Sequence, residues 1–347
     1  MTSEIKKIIE KPELSRDEII MLLSVDSEAE SQLIFEKAFA IKNHIHGSKI
    51  YLRGLIELTN KCLKNCYYCG IRSGNKNATR YELSEKEALQ AAVLAWEQGF
   101  GSIVIQSGEL KSEVFASKIE RLLQQIHHKT NNELSVTLSC GEQTLDTYKR
   151  WVVAGAHRYL LRIESSNETL YYKIHPNDQM HDFQTRLQAL HDLRTAGFLV
   201  GTGVMIGLPE QTIAHLADDL LFFKNFGVDM VGMGPYLEHH ETPLFEKNHL
   251  LWSESTRFQK SLLMIAILRI MMPHINIAAS TALETLNPLG RQKGILAGAN
   301  VIMPNVTPLE KKINYDLYDK KPHLYNDTEK IVQAAKQIRD TNFLNGG

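Results

Sequence analysis

No feature constrains this chain more than one short run that holds three of its four cysteines, Cys62-Leu-Lys-Asn-Cys66-Tyr-Tyr-Cys69. Three thiolates this close can ligate three irons of a 4Fe-4S cluster and leave the fourth iron free for another ligand. A structural zinc site would want four closed ligands, usually as two separated pairs. The remaining cysteine, Cys140, stands in a separate segment. The spacing therefore predicts an open-cornered iron–sulfur cluster rather than three idle thiols, with Cys62, Cys66 and Cys69 as its ligands. Four cysteines in 347 residues build no disulfide scaffold, and they suit a reducing cytoplasm.

The bulk numbers exclude several classes. At 43% hydrophobic and 23% charged the chain has ordinary globular composition. A net charge of −1 gives no reason to expect nucleic acid or a membrane surface as partner. No 18-residue apolar run appears, and the start, Met-Thr-Ser-Glu-Ile-Lys-Lys, lacks the apolar core of a signal peptide. A cytoplasmic location is expected.

Eight short runs rich in β-branched and aliphatic residues recur along the chain: Gly54–Thr59, Ser102–Ser107, Leu134–Ser139, His157–Glu164, Val200–Ile206, Met230–Gly234, Ile275–Ser280 and Asn300–Met303. Their continuous apolar character suits parallel strands covered on both faces. Between them, helices fit Glu142–Ala154, Asp182–Ala196, Ile213–Phe226 and Glu254–Met272, and the capping box Ser84-Glu-Lys-Glu87 opens one that runs to about Gln98. The pattern predicts an α/β fold, a closed (β/α)8 TIM barrel, with residues 51–308 as the barrel. Residues 1–50 read as a helical extension containing Arg16–Leu23 and Ala29–Ile45. Residues 309–347 read as a second extension closing the barrel, with a last helix at Asp327–Thr341.

Barrels of this kind work at the mouth formed by the C-terminal ends of their strands. The cysteine run follows the first strand directly, and other polar residues gather at later strand ends. Gln106-Ser-Gly-Glu109 follows the second strand, where its glycine permits a tight turn or a backbone close to a ligand. Arg158, Arg162 and Glu164 lie along the fourth strand, and with its period of two all three project to the same face. Two guanidinium groups and a carboxylate would bind a zwitterionic or anionic ligand, or satisfy one another inside the barrel. Gly207-Leu-Pro209 suits a strand–helix turn. Glu238-His-His-Glu241 lacks the i, i+4 spacing that puts metal ligands on one helix face, and is expected to be a solvated loop.

The CxxxCxxC spacing, with Tyr68 before its last cysteine, resembles the signature of radical S-adenosylmethionine (SAM) enzymes. That resemblance implies two cofactors, a 4Fe-4S cluster and SAM, and a reaction begun by a 5'-deoxyadenosyl radical, with the protein left to bind, orient and shield. Ser107 replaces the first glycine of the family's "GGE"-like segment. Further runs are similar to the HydE group, the maturases of the FeFe-hydrogenase active-site cluster. They are Leu55-Ile-Glu-Leu-Thr-Asn60, Arg158-Tyr-Leu-Leu-Arg-Ile-Glu164, Thr242-Pro-Leu244 and Ala299-Asn-Val-Ile-Met-Pro-Asn-Val-Thr-Pro308. The resemblance implies that Tyr68, Ser107, Glu109, Arg162, Glu164 and Arg186 bind SAM. It also implies that Thr137, Arg158, Met230, Thr281, Met303, Tyr315 and Tyr318 line the cavity below it. The implied substrate is a cysteine-bound iron precursor carrying carbon monoxide and cyanide. Implied partners are a reductant such as ferredoxin or flavodoxin and the other hydrogenase maturases. Methylornithine synthase, biotin synthase and a non-catalytic cluster carrier stand as alternatives.

Overall fold

The structure, a computed structural model, describes residues 2–321. The apolar runs form nine strands: β1 (Tyr51–Thr59), β2 (Ser102–Ser107), β3 (Ser135–Ser139), β4 (Ala156–Leu160), β5 (Leu199–Thr202), β6 (Met205–Ile206), β7 (Met230–Pro235), β8 (Asn276–Ala279) and β9 (Val301–Ile302). Eight of them close a parallel ring in the order β1-β2-β3-β4-β5-β7-β8-β9 and back to β1. The eight-stranded barrel expected from the sequence is the fold observed.

The expected fifth strand is split. Gly203 lies between β5 and β6, and a Cβ there would run into the Gly232 carbonyl oxygen. Backbone meets backbone at this point, so the strand bends and β6 continues alone against β7. The fourth strand also differs from expectation, stopping at Leu160 rather than Glu164. Glu164 takes a left-handed φ of 64°, which regular strand geometry does not allow.

Three helices precede the barrel, α1 (Thr2–Ile8), α2 (Arg16–Leu23) and α3 (Glu28–His46). The crossovers carry α4 (Glu85–Glu97), α5 (Glu113–Lys129), α6 (Leu145–Val153), α7 (Glu168–Ile174), α8 (Phe183–Ala196), α9 (Ile213–Phe226) and α10 (Glu254–Met271). Shorter helices α11 (Thr281–Leu286), α12 (Gly290–Leu296) and α13 (Leu309–Lys312) follow. Ser84 and Glu87 form the expected capping box on α4. Helix α6 starts three residues later than expected because Thr144, not a residue near Glu142, accepts the capping bond from Thr147 N. That leaves Glu142 on a loop. In the N-terminal extension α3 packs on α10, and α2 packs on α9, where Arg16 reaches Asp218 at 2.6 and 2.9 Å. The helix expected at Asp327–Thr341 lies outside the described residues.

Strand alternation sorts the barrel's side chains. Gly54 faces α4, with Ala95 Cβ 3.2 Å from where its own Cβ would stand, so Arg53, Leu55 and Glu57 face the lumen. Register carries that face around the ring: Leu55, Val104, Thr137 and Arg158 form one row, and Glu57, Gln106 and Ser139 the next toward the mouth. The outward side chains of β2 and β3 (Ile103, Ile105, Val136, Leu138) are buried under the helices.

Candidate cofactor site at the barrel mouth

The cysteine loop leaves β1 at Thr59 and is fixed by residues distant in sequence. Arg80 donates to four of the loop's carbonyls, those of Asn60, Ile71, Arg72 and Asn75, at 2.6–3.0 Å. Asn65 N donates to His181 Nε2 at 2.8 Å, and Asp178 holds the other ring nitrogen at 2.7 Å. Gly70 N donates to Leu317 O, and a Cβ at Gly70 would collide with the Asp316 carbonyl oxygen. Lys64, inside the cysteine spacer, donates to Met180 O and to Glu142. Arg80, Glu142 and His181 belong to no motif that would mark them in the sequence, and the cysteine spacing does not single out Lys64.

The three thiols fit an iron–sulfur cluster in chemistry as well as spacing. Burial, and then the neighbouring Cys62 thiol, push Cys66 up to about 12. Burial raises Cys62 and Cys69 too, and Cys69 feels both of the others. Thiols so close and so dry hold their protons unless a cation compensates them, which is what cluster iron does. The Glu109 amide donates to Cys62 Sγ at 3.3 Å, the kind of bond that supports a ligating sulfur. Cys140 is a core side chain, fully buried, with its thiol pushed up to about 11 by burial.

Beside the cysteines lies a buried group of charges. Glu109 follows Ser107 at the end of β2, and Arg186 comes from α8. Glu109, Glu142, Lys64 and Arg186 are all buried, and Lys111 reaches in from the surface. Arg162 meets Glu164 at 3.0 Å and donates to Val204 O. Burial pushes the Glu164 carboxyl up, against the pull of Arg162 and Arg186. Tyr68 stands edge-on to His175, with Oη 3.3 Å from Nε2. Burial, aided by Arg186, holds His175 well below its ordinary value, so the imidazole is neutral. Glu109 Oε1, Thr137 Oγ1, Tyr236 Oη and Ser280 Oγ are buried without a hydrogen-bond partner. Orphaned acceptors and hydroxyls of this kind suit a zwitterionic ligand such as SAM. Next to them an apolar patch of Leu170, Ile174, Met205, Leu208, Tyr236 and Leu244 packs with Tyr67 and Tyr68. Gly207, at φ 83°, turns the chain past it, with Gln211 accepting from the Gly207 and Leu208 amides.

The expected alignment of Arg158, Arg162 and Glu164 on one face is not observed. Because β4 ends at Leu160, Arg162 and Glu164 belong to the mouth, whereas Arg158 lies lower in the barrel, roughly 13 Å back at ~3.3 Å per residue. Arg158 lines a cavity of about 540 Å³ near the N-terminal strand ends, together with Arg53, His46, Tyr51, Ser135 and Asn276. Met230, the first residue of β7, is likewise away from the mouth and receives a 2.8 Å contact from Arg53. Neither Arg53 nor Arg158 forms an ion pair among the described residues. Burial, then the nearby Arg158, lowers Arg53 to about 10.

Of the other residues expected to line the cavity, Thr137 and Met303 stand at the level of Arg158 and Met230, whereas Thr281, Tyr315 and Tyr318 follow the strand ends. Thr137 is in register with Arg158, and Met303 packs on Met230, Ala278 and Val301. Tyr315 Oη accepts from Gln106 Nε2 at 3.1 Å. Thr281 Oγ1 accepts from Arg291, and Tyr318 lies beside Thr285 and Arg291. Lys321 crosses to Glu57 at 2.6 Å and also donates to Tyr315 O. The loop of Glu238–Glu241 is not simply solvated: His239 is buried, and His240 binds Asp319 at 2.8 Å. His239, His240 and Asp319 come within 4.8 Å of one another. The two imidazoles nevertheless stack with planes 8° apart, which leaves no point lying in both ring planes for a metal.

Comparison with known proteins bears on the family and the fold. The profile of the radical SAM superfamily matches residues 56–223. The chain is 39% identical to the [FeFe] hydrogenase maturase subunit HydE of Thermotoga maritima, over 96% of this chain and 93% of that protein. It is 28% identical to a 3-methylornithine synthase of Methanosarcina acetivorans, over 90% and 86% of the two chains. Among solved structures, methylornithine synthase (PylB) superposes with TM-score 0.78 at 23% identity, covering 96% of this chain and 95% of its own. The FeFe-hydrogenase maturase HydG from Carboxydothermus hydrogenoformans gives 0.78 at 24% identity, over 96% and 78%. No helix among the described residues is long and apolar enough to cross a membrane.

Proposed function

The chain belongs to the HydE family within the radical SAM superfamily, and from that premise we propose that it matures FeFe-hydrogenase by acting on a cysteine-bound iron precursor that carries carbon monoxide and cyanide. The observation that carries this reading is the likeness, at 39% identity over 96% of the chain, to a protein named as a hydrogenase maturase subunit. The product would feed assembly of the diiron unit.

Cys62, Cys66 and Cys69 would hold the cluster. Bound together, cluster and SAM supply a reductive carbon–sulfur cleavage that yields a 5'-deoxyadenosyl radical. Glu109 would accept from the SAM ammonium, while Arg162, Arg186 and Ser107 offer donors and Glu164 an acceptor for its polar groups. Tyr68 and the apolar patch around Leu208 would pack on its flat base. Below, Arg158 and Arg53 line a cavity whose walls carry no carboxylate, with Asp229 acting on Arg158 from beyond ion-pair reach, which favours an anionic, carboxylate-bearing substrate. Thr137, Met230, Thr281, Met303, Tyr315 and Tyr318 would orient it and keep water from the reacting atoms. The buried mouth needs an external electron source, such as ferredoxin or flavodoxin, and the sister maturases supply and receive material. A reducing cytoplasm suits all of these partners.

The deciding experiment is anaerobic. Reconstituted protein is added with its sister maturases to hydrogenase lacking its diiron unit, and hydrogen evolution is followed. Activation supports the proposal. Methylornithine formed from lysine and SAM, without hydrogenase activation, would refute it in favour of the lysine mutase.

A further inference from the structure

Glu142 belongs to no motif, yet it occupies the centre of the buried charge group. Its carboxylate lies 3.0 Å from Lys64 Nζ, 3.2 Å from Lys111 Nζ and 2.9 Å from Arg186 Nε. Glu109 faces the same three cations at 3.3, 3.7 and 3.5 Å. Both lysines donate hydrogen bonds to Glu142 Oε2, and neither donates one to Glu109; Oε1 of each glutamate is buried without a hydrogen bond, that of Glu142 within 2.9 Å of Arg186 Nε. Two carboxylates compete for one set of cations, and Glu142 has won the short contacts. The competition requires close approach. Gly141 provides it, at φ 72°, because a Cβ at that position would run into the Glu109 side chain.

We propose that Glu142 is a positioning residue that draws Lys64 and Arg186 away from Glu109, so that Glu109 keeps an open acceptor for the SAM ammonium. An ammonium must displace whatever cation already occupies its carboxylate. A carboxylate held at 3.3–3.7 Å from its neighbours is easier to enter than one gripped at 2.9 Å. The inference rests on the assignment of Glu109 to SAM.

The test measures SAM affinity on the reduced, reconstituted full-length protein, from the change SAM causes in the cluster's electron paramagnetic resonance signal. Iron content is measured in parallel. Glu142→Gln removes the competing charge, so Lys64 and Arg186 should close on Glu109. SAM binding should weaken about tenfold or more with iron content unchanged. Glu142→Asp keeps the charge and should stay within about threefold. Lys64→Met should cost no SAM affinity, and the double variant Lys64→Met/Glu142→Gln should recover most of the loss. A double variant no better than Glu142→Gln, or a Lys64→Met variant that binds SAM tenfold worse, overturns the proposal. If Glu142→Gln fails to hold iron, the Lys64→Met result alone decides. Glu109→Gln separates this failure from that of the pocket assignment, since undiminished SAM affinity there would mean that Glu109 does not receive SAM.

Discussion

A buried guanidinium with no carboxylate nearby is costly, and Arg53 is such a group, buried with a thioether as its contact. Residues kept at a cost to stability mark sites where function needs them. Arg53→Met should therefore raise the melting temperature, by about 2 °C or more, while hydrogenase activation falls and substrate-free SAM cleavage persists. Calorimetry and a 5'-deoxyadenosine assay on one preparation would check both halves. The cysteines give a sharper contrast. Alanine at Cys62, Cys66 or Cys69 should abolish iron binding and bring SAM cleavage to background. Cys140→Ala should leave iron content unchanged, because that thiol packs in the core. The cysteine spacing was readable because all three thiols fall within eight residues. Glu142, Arg80 and His181 were not, since each acquires its role from a partner brought near only by folding, 78 residues away for Lys64 and Glu142. Arg158 was misplaced for a related reason. Alternation puts it on one face with Arg162, but alternation says nothing about where the strand stops.

At the scale of elements, that stopping point has its own support. Ser166, two residues beyond the left-handed Glu164, donates its amide and hydroxyl to Asp219 on α9 at 2.7 and 2.6 Å. Burial pushes the Asp219 carboxyl up from 3.8 to about 7. Between those two values the folded chain keeps a proton that the unfolded chain has released. The associated stability is full below about pH 4 and is lost as pH rises through 7. Each pKa unit is worth about 1.4 kcal/mol. Asp219→Asn cannot titrate, so its melting temperature should fall less between pH 5 and pH 8 than that of the parent protein. An identical fall in both would show that Asp219 does not titrate in this range. Most strands were legible as apolar runs, because both faces of a parallel barrel are covered. Their ends were less so. The start of α6 depends on Thr144 taking the cap, and the break between β5 and β6 depends on Gly203 meeting Gly232. The sequence shows the glycines and not the encounter.

Across the whole molecule, strand pairing is uneven. β1 and β2 match over six residue pairs and β2 with β3 over five, whereas β9 matches β1 over two and β8 over one. Hydrogen exchange should reflect this, with the amides of 277–279 and 301–302 exchanging faster than those of 103–106 and 136–139. Equal protection around the ring would mean that the helices outside, rather than the strand pairs, set local stability. The closed ring itself was legible from the count of eight runs, but the distribution of its pairing was not, since register follows from the stagger of the strands. The cysteine loop and Glu109 grow from β1 and β2, on the tightly paired side. Thr281 and Met303 follow β8 and β9, on the sparsely paired side.

With the assignments proposed above, the reagent is held on the tightly paired wall, and Thr281 and Met303 bring the sparsely paired wall to a cargo that Arg53, Thr137 and Arg158 meet from the other side. A vessel built this way can be refitted for guests of another outline by altering the staves around Thr281 and Met303, while the tool that strikes them stays in register on the opposite wall.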